Sequence, residues 1–158
     1  MSDAPAIFSP DRRYRYVLRR RWLSGNGMCL FVCLNPSIAD ETTDDPTIRR
    51  CMGFARTWGY QMLSVVNLFA YRATNPERLR RNSDTNRSRN NRYLLLEAEQ
   101  ADCVVAAWGA QGHYYSKRVE EVCRLLANIP KVCLGRTQSG EPKHPLYLPK
   151  ETQRQEFP

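Results

Sequence analysis

The sequence predicts a three-layer α/β/α domain with a central, mainly parallel sheet. Three observations carry this. The apolar runs at residues 28–34, 62–67 and 103–108 are continuous rather than alternating, as strands buried on both faces are. Stretches with helical spacing stand between them, so strands and helices alternate along the chain. Each run also ends abruptly in a polar residue or glycine, at Asn35, Asn67 and Gly109. With 158 residues the chain has room for one domain, residues 1–158, whose core needs no staples.

Residues 14–22 alternate and are rich in Arg and aromatics, which suits a partly exposed strand. Ser24-Gly25-Asn26-Gly27 supplies turn chemistry before the run 28–34, so the two strands read as a hairpin feeding the sheet. Residues 38–45 are polar and loop-like. Asp45-Pro46 then opens a helix, with Asp as N-cap and Pro at the first position, and Ile48, Cys51, Met52 and Ala55 form its apolar stripe as far as Gly59. After the strand 62–67, residues 68–90 read as a long irregular stretch rich in Arg and Asn. A helix over 91–100, a strand over 103–108, an amphipathic helix over 115–127 and a short strand over 131–134 follow. Residues 140–149 form a loop with three prolines, and the ends 1–10 and 150–158 are expected to be poorly ordered.

The net charge is +8, and 20 of the 24 basic residues are Arg. An Arg fork matches phosphate better than a Lys point charge, so the excess leans toward nucleic acid as partner. The six cysteines sit mostly within apolar runs and form no Cys-x-x-Cys pair, so they read as small core residues and not as metal ligands. There is no apolar run of membrane-spanning length and no basic-then-apolar leader pattern, which points to a cytoplasmic protein without a membrane partner.

Open α/β sheets build their sites at the carboxyl ends of their strands. Three strand ends and the loop at His144-Pro145 therefore make a candidate pocket. In isolation each residue has a plainer role. Asn35, Asn67 and His144 would satisfy turns or backbone, Trp108 would be core, and His113 would be incidental. The pair Asp44-Asp45 suggests a metal site or a general base, but Asp45 is better explained as the cap of its helix and Asp44 as a solvated neighbour.

Four segments in order resemble the uracil-DNA glycosylase superfamily. They are Asn35-Pro36-Ser37, the run from Asn67 through Phe69 and Arg72 to Thr74, the strand ending Trp108-Gly109, and His144-Pro145-Leu146-Tyr147-Leu148. The first is similar to the Asn-Pro-Gly motif of the mismatch-specific branch, with Ser37 where that branch has Gly. The chain also resembles a family of bacterial proteins carried as a domain of unknown function, DUF1643. The first resemblance implies the glycosylase-like form of the fold, and hydrolysis of an N-glycosidic bond in DNA without a cofactor or metal, by a monomer. Asn35 would hold the attacking water and His144 would donate to the base O2. Asn67 would read the base edge, with Ser37 and Phe69 beside it. Leu146 or Leu148 would be the apolar wedge that fills the place of a flipped nucleotide. An amide can orient water but cannot accept its proton. That keeps two other readings open: a base-binding module without catalysis, and an N-glycosidase of free nucleosides.

Phosphate contacts are expected from Arg72, Arg78, Arg80, Arg81, Arg87, Arg89 and Arg92 in the Arg-rich stretch. Arg49 and Arg50, on the first turn of the helix after the Asn-Pro loop, are the second group.

Overall fold

The computed structural model describes residues 3–83 and 85–158. Its elements run β1 Ala6–Phe8, β2 Arg15–Arg21, β3 Met28–Cys33, α1 Pro46–Thr57, β4 Met62–Asn67 and α2 Pro76–Asn82. They continue with α3 Arg87–Gln100, β5 Cys103–Ala106, a 3-10 turn Ala110–Tyr115, α4 Ser116–Leu125, β6 Lys131–Cys133 and β7 Gln155–Phe157. Among the described residues one sheet forms, in the order β1-β2-β4-β3-β5-β6-β7. Its four central strands, β4, β3, β5 and β6, are mutually parallel. Antiparallel strands close both edges.

The alternating faces of β3 explain the layers. Leu30 and Val32 pack with Leu94 and Ala98 of α3 and Val122 of α4. Cys29, Phe31 and Cys33 pack on the other face against Ile48, Cys51 and Phe54 of α1. A strand apolar on both faces belongs in the middle of a covered sheet, and every residue of β3 is buried. All six cysteines are free thiols, four of them buried, as core residues.

Two expectations need correction. The strands 14–22 and 28–34 do not form a hairpin, because β4 lies between β2 and β3. Turn residues set only the local chain reversal, whereas the two-faced burial of β3 decides its neighbours. The stretch 68–90 is not irregular: it holds α2 and the first turn of α3. Near the ends, with Met1 and Ser2 outside the described residues, β1 pairs with β2 and β7 pairs with β6.

α1 begins as its sequence predicts. The Asp45 side chain accepts the Ile48 N–H at 2.9 Å, and Pro46 stands in the first turn. α3 is tied to the sheet by charge. Arg19 of β2 pairs with Glu97, and Ser64 Oγ of β4 donates to the same carboxylate at 2.6 Å. Among the described residues no helix is long and apolar enough to cross a membrane.

Candidate functional site

A cavity of about 240 Å³ opens at the carboxyl edge of the parallel strands. It is smaller than the ~300–1,000 Å³ typical of drug-sized ligand sites, which suits one base or nucleoside better than a dinucleotide. Its walls come from Asn35 and Ser37 after β3, Asn67 at the end of β4, Trp108 and Gly109 after β5, and His144 beyond β6. Residues far apart in sequence meet because parallel strands carry their ends to one edge; Cys33 and Asn67 are register partners.

Asn67 is 1% exposed. Neither its Oδ1 nor its Nδ2 has a hydrogen-bond partner among the described residues. A buried amide that meets nothing costs about 1–3 kcal/mol, and a core position gives no reason to retain it. Its own backbone is held firmly: the Asn90 amide of α3 donates to the Asn67 carbonyl at 2.9 Å and to that of Leu68 at 3.2 Å. Arg118 Nε donates to the Leu68 carbonyl as well, at 2.7 Å.

Asn35 is arranged in the opposite sense. Its Nδ2 donates to the carbonyls of Ala73 at 2.7 Å and Pro36 at 3.0 Å, which leaves Oδ1 as the acceptor. Arg72 fixes the same loop by donating from Nε to the Ser37 carbonyl at 3.2 Å.

His144 takes the Leu146 N–H on Nδ1 at 3.2 Å, so the proton of the neutral ring sits on Nε2. Burial pushes its imidazole below the usual range, with Asp45 partly opposing the shift. It is therefore a neutral donor at pH 7. The loop lies close against Gly109, where an added Cβ would come within 3.1 Å of His144 Cβ and where φ is +79°. Any side chain at Gly109 would be strained by its backbone and would press on the histidine.

The sequence reading missed two residues that border the cavity. Arg15, at the start of β2, is 2% exposed. Its Nη1 donates to the Ala39 carbonyl at 3.1 Å, and its Nε has no partner. Burial pulls its guanidinium down to about 10 against the attraction of Asp45. The alternation of residues 14–22 had suggested an exposed face, but β2 lies inside the sheet between β1 and β4, which buries this end. Asp45 is the second: it caps α1 and borders the cavity too. The sequence had offered the Asp44-Asp45 pair as a general base, and the helix-cap signal took precedence. Trp108 is core, as expected, and also a wall; its Nε1 donates to Glu141 at 2.6 Å.

Other expected contacts fall elsewhere. Phe69 does not border the cavity; it packs edge-on against Tyr115 at 4.8 Å in the core on the α3 side, because the chain turns there after β4. Leu148 packs against the core on the α1 side, and Leu146 is half-buried. The projecting residue of that loop is Tyr147, 92% exposed with φ +70°.

The arginines divide similarly. Arg81 pairs with Glu77, and Arg87 with Glu121. Arg78 Nη2 donates to the Tyr71 hydroxyl at 3.3 Å, and Arg80 is exposed on α2. Arg49 and Arg50 instead border a groove of about 320 Å³ with Arg56 and Lys150. No carboxylate borders it among the described residues. Nor does any group of His, Cys, Asp or Glu among them form a metal site.

Fold and cavity together define a class: an α/β domain with a small, amide-lined pocket at the carboxyl edge of its parallel strands. The chain belongs to the family described as protein of unknown function (DUF1643), whose model matches residues 15–146. That span runs from Arg15 to just past His144, so every residue bordering the cavity lies within it. No curated protein and no solved structure matches the chain.

Proposed function

We propose that this protein is a glycosylase-like enzyme of DNA. It takes a flipped, deaminated or modified base into the cavity and hydrolyses the N-glycosidic bond. The observation that carries the reading is the unpartnered, buried amide of Asn67. A side-chain amide can donate to O4 and accept from N3–H of a uracil-like base, so the ligand would supply both missing partners. His144 Nε2–H donates to O2, where negative charge develops as the base leaves. Asn35 Oδ1 holds the attacking water, since its amide nitrogen is already engaged. Tyr147, at the tip of the His144 loop, takes the wedge role first expected of Leu146 or Leu148. Support comes from the motif resemblance and from the basic groove beside α1.

The test is to incubate the protein with oligonucleotides containing uracil, hypoxanthine, xanthine or a mismatch, in single- and double-stranded form, and to score abasic sites. Product from the native protein and none from Asn35→Ala or Asn67→Ala is expected. The amide at Asn35 favours a second reading, recognition of the base without cleavage. Tight binding of a modified oligonucleotide with no abasic product identifies that case, and neither binding nor product rejects both.

A further inference from the structure

We propose that Asp45 is a catalytic carboxylate of this cavity, facing the cation that develops on the sugar and accepting the proton of the attacking water. The inference rests on the glycosylase-like reading and supplies what that reading lacks, since an amide at Asn35 can hold water but cannot take a proton from it.

Three observations converge on Asp45. It is the sole carboxylate bordering the cavity among the described residues, and it shares that wall with Asn35, Arg15 and His144. Only one of its oxygens is engaged: Oδ1 accepts the Ile48 N–H at 2.9 Å as the α1 cap. Oδ2 is not among the fully buried atoms that lack a partner, so it keeps access to solvent in a residue that borders the cavity. Its charge is also felt across the site, since it raises the proton affinity of both Arg15 and His144 against their burial. Capping alone does not explain an acid here. Asn and Ser cap about as well as Asp without the cost of burying a charge.

The step balances as follows. The water oxygen forms a bond to C1′ while the C1′–N bond breaks, and that electron pair leaves on the base. The base O2 takes a hydrogen bond from His144 Nε2–H. The water proton passes to the Asp45 carboxylate and from there to the departed base, so the products are a sugar hemiacetal and a neutral free base. Arg15 is a positioning residue for Asp45. Its buried guanidinium, held on the Ala39 carbonyl, keeps a fixed positive charge near the carboxylate.

The experiment needs no turnover. Two oligonucleotides carry, at the target position, either a cationic pyrrolidine or a neutral tetrahydrofuran in place of the sugar. The native protein should bind the cationic probe on the order of tenfold tighter, about 1.4 kcal/mol. Asp45→Asn and Asp45→Ser keep a capping side chain, so α1 and the melting temperature should hold. Both variants should lose the preference for the cation and bind the neutral probe as the native protein does. If the native protein binds the two probes equally, or either folded variant keeps the preference, the role of Asp45 is overturned while the pocket reading stands. If neither probe binds, the nucleic-acid reading fails and takes this proposal with it.

Discussion

At the scale of single residues, the polar groups around the cavity differ in how far the folded chain satisfies them. Asn67 is the clearest case, because its amide gains nothing from the folded chain. Replacing it by Leu removes two unmet polar atoms at similar volume, so the unliganded protein should become more stable, by about 1 kcal/mol. Calorimetry should show a higher melting temperature, and the same variant should lose all discrimination between bases. A marked fall in stability would show instead that the amide is satisfied in the free protein. Asn35 and Asn67 stood out in the sequence because each closes an apolar run at a strand end, and His144 because of the His-Pro loop that resembles a glycosylase motif. Arg15 was not, since an alternating basic strand reads as exposed until its neighbours in the sheet are known. Asp45 was legible as an acid that could act as a base, but its cap role was the stronger signal. A helix-start signal accounts for the residue so well that it hides any second use of the carboxylate.

At the scale of elements, polar faces do work that apolar stripes do elsewhere. The buried positions of α3 are Asn90, Leu94, Glu97 and Ala98. Their spacing is helical, but two of the four are polar, so a search for apolar periodicity starts this helix too late. Those polar residues fix β4: Glu97 accepts from Ser64, and Asn90 donates to the carbonyls of Asn67 and Leu68. Asn90 thus holds the backbone that aims the Asn67 side chain, although it does not border the cavity. Asn90→Ala should leave the Asn67 carbonyl without this donor and cost about 1–3 kcal/mol by chemical denaturation. It should also weaken base discrimination more than overall nucleic-acid affinity. Loss of stability with discrimination intact would confine Asn90 to a packing role. α1, by contrast, was readable to its first residue, because cap, proline and apolar stripe all pointed to one register.

At the scale of the whole molecule, the proposed function falls on two places. A base-sized cavity lies at the carboxyl edge of the sheet, and basic side chains that meet no carboxylate among the described residues border a groove on α1. Net charge told the sign of the surface excess but not where it gathers, because ion pairing is decided by tertiary structure. Arg81 and Arg87, prominent in the sequence, spend their charge on Glu77 and Glu121. Arg49 and Arg50 share their groove with Arg56 and Lys150 and, among the described residues, with no acid. If the groove tracks a nucleic-acid backbone, each phosphate it neutralises contributes about 0.7–0.9 to the slope of log affinity against log salt. The double variant Arg49→Ala, Arg50→Ala should therefore lower that slope by about 1.4 on a single strand and weaken every sequence by a similar factor. Arg81→Ala with Arg87→Ala should change it far less, since those side chains already have carboxylate partners. A titration of fluorescent single-stranded DNA across a range of salt concentrations reads both variants. The reverse ranking would move the backbone path to α2 and α3, on the other face of the sheet from α1. A flat slope in the native protein would leave the base cavity as the sole point of contact, and a free nucleoside would then fit the site better than a strand.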